Sequence, residues 1–272
     1  MWEFIKRRFA RNNFSGLTLT VLLLAFAYIS CLLAGLTEDI VTSDSIVSFD
    51  EHIASLLLAD RNHATVEFFL AFTFLGQPIL VSLSLLLAAV GLLWTRLMQW
   101  MIPLTVSSLS SLLLVFLGKN TIARPRPVDP LFAVHSFSFP SGHSAIAVSV
   151  YGFIGLIFLY QARRLSTRFS ILTLTIFVIG AVLLSRMVLG VHYFSDVIGG
   201  LLVGSLSITL GLGIYYWQLN HNYSLQRTES KQNHLPKILL LALIFVLAWV
   251  GFEVFGENLF YQDQLAVERG IQ

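Results

Sequence analysis

Ser185-Arg186-Met187-Val188-Leu189-Gly190-Val191-His192-Tyr193-Phe194-Ser195-Asp196 stands between two apolar runs, each long enough to cross a bilayer. The stretch puts an arginine, a histidine and an aspartate where hydrocarbon is otherwise expected. Charges so close to a membrane core are costly, so by default they mark a working site. If a helix has begun by His192, then His192 and Asp196 share a face, and the carboxylate holds one imidazole nitrogen by its N–H. The other nitrogen is left free to attack.

Two further polar islands fit the same site. Lys119-Asn120-Thr121-Ile122-Ala123-Arg124-Pro125-Arg126-Pro127 follows one apolar run, and Pro140-Ser141-Gly142-His143 opens the next. Together they supply cations, a small hydroxyl, a glycine and a second histidine, an inventory that suits a phosphate.

Composition sets the class. A chain of 272 residues, 56% hydrophobic and only 12% charged, with a mean hydropathy of +0.77, is too apolar for an ordinary soluble domain and reads as a polytopic membrane protein. The formal net charge of +2 gives no reason to expect a nucleic-acid partner. The single cysteine, Cys31, excludes an intrachain disulfide and reads as a small apolar residue of the first run.

Outward from the site, the apolar runs predict seven helical spans. Residues 1–14 form a basic inner terminus, and 15–217 hold six spans. An acidic outer segment at 37–67 carries Phe49, Ile53, Leu56 and Leu57 at helical spacing, which predicts an amphipathic helix on the membrane surface. Gly76-Gln77-Pro78 predicts a kink in the second span. In the sixth span, Gly200 and Gly204 favour close approach of another helix. A polar inner loop at 218–236 leads to a seventh span at 237–255 and an outer polar tail at 256–272.

Counting charges orients this layout. With the N-terminus inside, eleven of the seventeen basic residues fall on the inner side, and four of the other six belong to the polar islands. Thirteen of the fifteen acids fall outside. The positive-inside bias therefore predicts that Lys119, Arg126, His143, Arg186, His192 and Asp196 all reach the outer face.

The chemistry follows from these groups. Pro140-Ser141-Gly142-His143 before an apolar helix offers backbone N–H groups and the positive end of a helix dipole, with Ser141 as a cap. Lys119, Arg126 and Arg186 surround the oxygens of a phosphoryl group. Three clustered cations repel a divalent metal, so neither a metal site nor a cofactor is expected. His192, held by Asp196, attacks phosphorus in line, while His143 protonates the leaving oxygen and later activates water.

Lys119, six residues, Arg126-Pro127; Pro140-Ser141-Gly142-His143; and Ser185-Arg186, five residues, His192, three residues, Asp196 together resemble the three-part signature of the type 2 phosphatidic acid phosphatase superfamily. The blocks occur in order, with 12 and 41 residues between them. The resemblance implies an all-α transmembrane bundle with an outer-face active site and no metal requirement. It implies phosphate binding by Lys119, Arg126, Ser141, Gly142 and Arg186, acid catalysis by His143, a nucleophilic His192 and an orienting Asp196. Arg124-Pro125 and Arg126-Pro127 both occur, and spacing from Lys119 favours Arg126; Arg124 and His135 are left as candidate head-group contacts. The resemblance covers six spans, so the seventh and the tail depart from the family pattern.

Taken alone, His143 as a helix cap or Asp196 paired with Arg186 has an equally good structural explanation. Eight matched positions on one membrane face outweigh it. The partner expected is a membrane lipid phosphate or diphosphate, of undecaprenyl diphosphate, phosphatidylglycerophosphate or phosphatidate type. Phosphotransfer to an acceptor lipid such as lipid A uses the same residues. An anion or proton-coupled transporter predicts polar residues running through the spans, whereas here they gather at one end. Compact build and short loops point to a bacterial cytoplasmic membrane.

Overall fold

A computed structural model describes residues 16–225 except 43, 44, 129, 133 and 135. The expected inner terminus at 1–14, the seventh span at 237–255 and the tail at 256–272 lie outside the described residues, as does His135. The described chain is helical with no strand: α1 (Leu17–Thr42), α2 (Ser45–Ala59), α3 (His63–Thr73), α4 (Pro78–Trp94), α5 (Met101–Ile122), α6 (Gly142–Gln161), α7 (Leu165–Val188) and α8 (Phe194–Leu225).

Five of these helices are individually long and apolar enough to cross a membrane, and α3 with α4 forms a sixth candidate bent by 51°. The bend falls at the Gly76-Gln77-Pro78 kink: a single 3₁₀ turn, Phe74–Gly76, ends α3, and Pro78 opens α4. Pro78 has no N–H to continue the ladder, so the Gln77 N–H closes back on the Phe74 carbonyl at 3.0 Å.

The acidic segment at 37–67 is divided among three helices. Nothing between Leu36 and Thr42 breaks the helix, and Thr37 returns its hydroxyl to the Leu33 carbonyl at 2.7 Å, so α1 runs six residues beyond its apolar stretch. Only Ser45–Ala59 forms a separate helix. Residues from His63 onward belong to α3, whose start is capped by Asn62 accepting the Thr65 N–H at 3.0 Å.

Helix α8 is the axis of the bundle, packed against α5, α1 and the first turns of α6. Its glycines make this possible. A Cβ on Gly200 would lie 2.5 Å from the Ser141 carbonyl, and one on Gly204 2.6 Å from that of Ala145, so any side chain there would drive α6 away. The other end of the bundle is an aromatic core in which Trp100 stacks on Tyr215 at 3.7 Å, closed by Phe153. Apolar side chains such as Leu24 and Leu87 cover the outside. This inside-out distribution is that of a chain solvated by lipid.

Candidate active site

Four helix ends and one long loop meet opposite the aromatic core. α5 ends at Ala123, a non-glycine residue in the left-handed region (φ 50°) whose N–H caps the Lys119 carbonyl at 3.0 Å. From there the loop crosses to α6 and is pinned to the α7–α8 turn by the Leu131 N–H on the Leu189 carbonyl (3.1 Å) and the Ser141 N–H on the Asp196 carbonyl (3.0 Å).

The α7–α8 turn places His192. Gly190, at φ 69°, takes the left-handed conformation that ends α7, and the Arg186 carbonyl then accepts N–H bonds from both Val191 and His192 at 3.2 Å. The two phosphate-site candidates Arg186 and His192 are thus joined through one carbonyl. α8 begins only at Phe194, so His192 precedes the helix instead of lying in it. Its Nδ1 nevertheless faces the Asp196 carboxylate, at 3.5 Å, longer than the direct hydrogen bond expected from the sequence.

Asp196 is occupied elsewhere. Its Oδ1 accepts from Arg124 Nη1 at 2.7 Å, and its Oδ2 accepts from the Tyr193 N–H at 2.8 Å and from the Ser138 hydroxyl. Arg124 also reaches Ser195 Oγ (2.7 Å) and Asp50 Oδ2 (2.8 Å). Asp50, fully buried on α2, takes the Ser195 N–H at 2.9 Å and the Ser195 hydroxyl. Arg124 is therefore not placed as a head-group contact. Its guanidinium is buried between two carboxylates, because neither acid can be enclosed without a cation.

Arg126 faces the site. Its Nε donates to the Ser136 carbonyl (2.7 Å), Nη2 to Ser136 Oγ (3.0 Å), and Nη1 to the Val191 carbonyl (2.5 Å). Nη1 also lies 3.3 Å from His192 Nε2. A guanidinium only donates, so Nε2 faces it with its lone pair and the ring proton sits on Nδ1, toward Asp196. Lys119 Nζ donates to Ser136 Oγ at 3.0 Å, making Ser136 the link between two cations. Arg186, buried, donates from Nη1 to Thr73 Oγ1 at 2.6 Å.

Ser141 caps α6 as expected, accepting from the Ser144 N–H (3.4 Å) and the Ser144 hydroxyl (2.9 Å), with Gly142 as the first helical residue. His143 follows in the first turn, within electrostatic reach of His192, Arg186, Lys119 and Arg126. Burial, reinforced by Arg126, Arg186 and Lys119, holds the His192 imidazole well below the ordinary histidine range. The structure thus gathers three cations, two histidines and a capped helix start. Among the described residues, no three His, Cys, Asp or Glu side chains come together as a metal-binding group.

Asp50, Ser136, Ser138 and Thr73 were not singled out from the sequence. Asp50 did leave a signal: with Ile53 and Leu57 it lies at 3- and 4-residue spacing, a carboxylate on the apolar face of an amphipathic helix. The serines and Thr73 resemble any others in the chain.

Residues 100–223 match the PAP2 superfamily. Phosphatidylglycerophosphatase B of Bacillus subtilis is 32% identical over 174 residues, covering 63% of this chain and 85% of that protein. The chain belongs to the PAP2 superfamily. Its fold is similar to the crystal structure of a transmembrane PAP2 type phosphatidylglycerolphosphate phosphatase from Bacillus subtilis, with a TM-score of 0.57 and 25% identity over 76% of this chain and 98% of that one. Aquifex aeolicus LpxE aligns with a TM-score of 0.47 and 28% identity, covering 59% of this chain and 93% of that one. With its apolar spans and PAP2 core, the protein is an integral membrane lipid phosphatase.

Proposed function

We propose that this PAP2 phosphatase hydrolyses a lipid phosphate or diphosphate at the outer face of a bacterial cytoplasmic membrane, through a phosphohistidine on His192. The observation that carries the reading is the orientation of one ring: His192 Nε2 faces Arg126 Nη1 with its lone pair, while Nδ1 faces Asp196. A phosphoryl oxygen drawn in by Arg126, Lys119 and Arg186 brings phosphorus in front of that lone pair.

In the first step Nε2 bonds to phosphorus as the bond to the lipid oxygen breaks, and the proton on His143 goes to that oxygen. In the second, His143 takes a proton from water, whose oxygen displaces Nε2 and releases phosphate. The cations hold the equatorial oxygens, where the charge of a loose transition state is spread. Nδ1–H carries the positive charge of the phosphorylated ring toward Asp196.

Phosphatidylglycerophosphate is the first substrate to test, because the relative that shares 174 aligned residues is named for it. Phosphatidate and undecaprenyl diphosphate present the same anionic group on a membrane-held lipid. The positive-inside count supports an outer-facing site.

The test is phosphate release by the detergent-purified protein from these three lipids, with chelator present and His192→Ala beside it. Release that survives chelator, disappears in the variant and passes through an acid-labile phosphoprotein is expected. Full activity of His192→Ala would overturn the nucleophile. Label passed to an added acceptor lipid and not to water would overturn hydrolysis.

A further inference from the structure

The elbow between α3 and α4 is marked in the sequence by Gly76-Gln77-Pro78, and the phosphate chemistry leaves it unused. It lies against the site. Thr73, the last residue of α3 and buried, accepts from Arg186 Nη1 at 2.6 Å. Three residues on, Gly76 is pressed against His143: a Cβ there would stand 2.7 Å from Cδ2, 3.0 Å from Cβ and 3.1 Å from Cγ of the histidine. Between them, the Leu75 carbonyl accepts the Tyr151 hydroxyl at 2.5 Å, tying the elbow to α6.

We infer that Thr73 and Gly76 are positioning residues of the reaction, the elbow holding Arg186 on one side and the His143 ring on the other. This rests on the reading of Arg186 as a phosphate ligand and His143 as the leaving-group acid. The break in the span serves this purpose. A continuous helix would commit the Leu75 carbonyl to its own ladder, and any residue but glycine at 76 would press a side chain on the imidazole. The break frees that carbonyl for Tyr151, and Gly76 gives the ring a bare backbone face. Thr73 supplies an acceptor in a place where a buried guanidinium needs one.

The two contacts predict different kinetic losses. Thr73→Val keeps the shape and removes the acceptor, so Arg186 is less well aimed and kcat/KM falls about tenfold whatever the leaving group, as for loss of one hydrogen bond to a charged group. Thr73→Ser restores the acceptor and the kcat/KM. Gly76→Ala swings the His143 ring, and a displacement of about 1 Å costs about a hundredfold in kcat/KM, which reports the steps up to departure of the leaving group. That loss belongs to proton donation, so it depends on the leaving group.

The full-length protein in detergent is assayed with dioctanoyl phosphatidate, whose leaving alkoxide needs a proton, and with 4-nitrophenyl phosphate, whose phenolate does not. Gly76→Ala is expected to lose kcat/KM on the first and keep most of it on the second, as His143→Ala does, because water activation by His143 comes after the leaving group has gone. Equal losses on both in Gly76→Ala, with the selective loss intact in His143→Ala, would overturn the positioning role of Gly76. Equal losses in His143→Ala as well would overturn the acid assignment itself and the Gly76 role with it. Should Gly76→Ala fail to fold, the Thr73 pair decides alone: an unchanged kcat/KM in Thr73→Val, or no recovery in Thr73→Ser, overturns the inference.

Discussion

Arg124 and Asp196 form a 2.7 Å ion pair that is almost wholly withdrawn from solvent, and the second arm of the same guanidinium holds Asp50 at 2.8 Å. One cation therefore binds two carboxylates from different helices, α2 and α8, at the start of the helix that follows the nucleophile candidate. Such a group is expensive to bury and more expensive to disrupt, since removing the cation leaves two enclosed acids facing each other.

Arg124→Ala is accordingly expected to destabilise the protein by about 3–5 kcal/mol, the range for breaking a buried pair. Asp50→Asn should cost less, because Arg124 keeps Asp196. Thermal unfolding in detergent checks the order. An Arg124→Ala protein that melts with the wild type and has lost only lipid affinity would return Arg124 to the role of a head-group contact.

Arg126 should behave in the opposite way. Its guanidinium is spread over the Ser136 and Val191 carbonyls, Ser136 Oγ and the edge of His192. A lysine has one point of charge and no fork, so Arg126→Lys is expected to lower kcat/KM by at least about tenfold with only a small shift in melting temperature. Arg124→Lys should instead lower the melting temperature first. If the two variants show the reverse pattern, the assignment by spacing from Lys119 is wrong.

The polar islands were legible because they interrupt apolar runs at fixed spacing. Lys119, Arg126, His143, Arg186, His192 and Asp196 stand out against hydrocarbon, and the fold puts them together. The kink at Gly76-Gln77-Pro78 was legible for the same kind of reason, a proline without an N–H in a helical run. What the neighbours do with that kink was not, since the contacts of Thr73 with Arg186 and Gly76 with His143 join positions 113 and 67 residues apart. Asp50 was not singled out, and Arg124 was read as a head-group contact, for a related reason: read singly, a charge near a membrane surface shows no partner, and only pairing across 74 residues buries the two. Asp196 was read as the partner of His192, with Arg186 as the structural alternative, whereas Arg124, Ser138 and the Tyr193 N–H share its oxygens.

The acid side of the pH profile tests the environment of His192. The attacking ring must be neutral, and burial with Arg126, Arg186 and Lys119 nearby lowers its affinity for a proton. A lowered pKa means protonation only at lower pH, so the acid limb of kcat/KM, which reports the free enzyme, should lie below about 6.5, the ordinary histidine value. Arg126→Gln removes one of the cations and should move that acid limb upward. An acid limb centred at the ordinary value and unmoved in Arg126→Gln would place His192 in a solvated, uncharged setting that the geometry does not allow.

Sidedness can be read from two exposed loop positions. Val128, 85% exposed, lies in the loop that carries Arg126, and Arg164, also exposed, lies in the short basic connection between α6 and α7. α6, long and apolar enough to cross a membrane, lies between them, so they are expected on opposite faces. Positive charge is retained on the inner side, so Arg164 is expected inside and Val128 outside. In a Cys31→Ser background, a membrane-impermeant maleimide added to intact cells should label Val128→Cys at once and Arg164→Cys only after lysis. The reverse pattern would put Lys119, Arg126 and His192 at the inner face, and the lipid substrate would then have to be one whose head group is exposed to the cytoplasm.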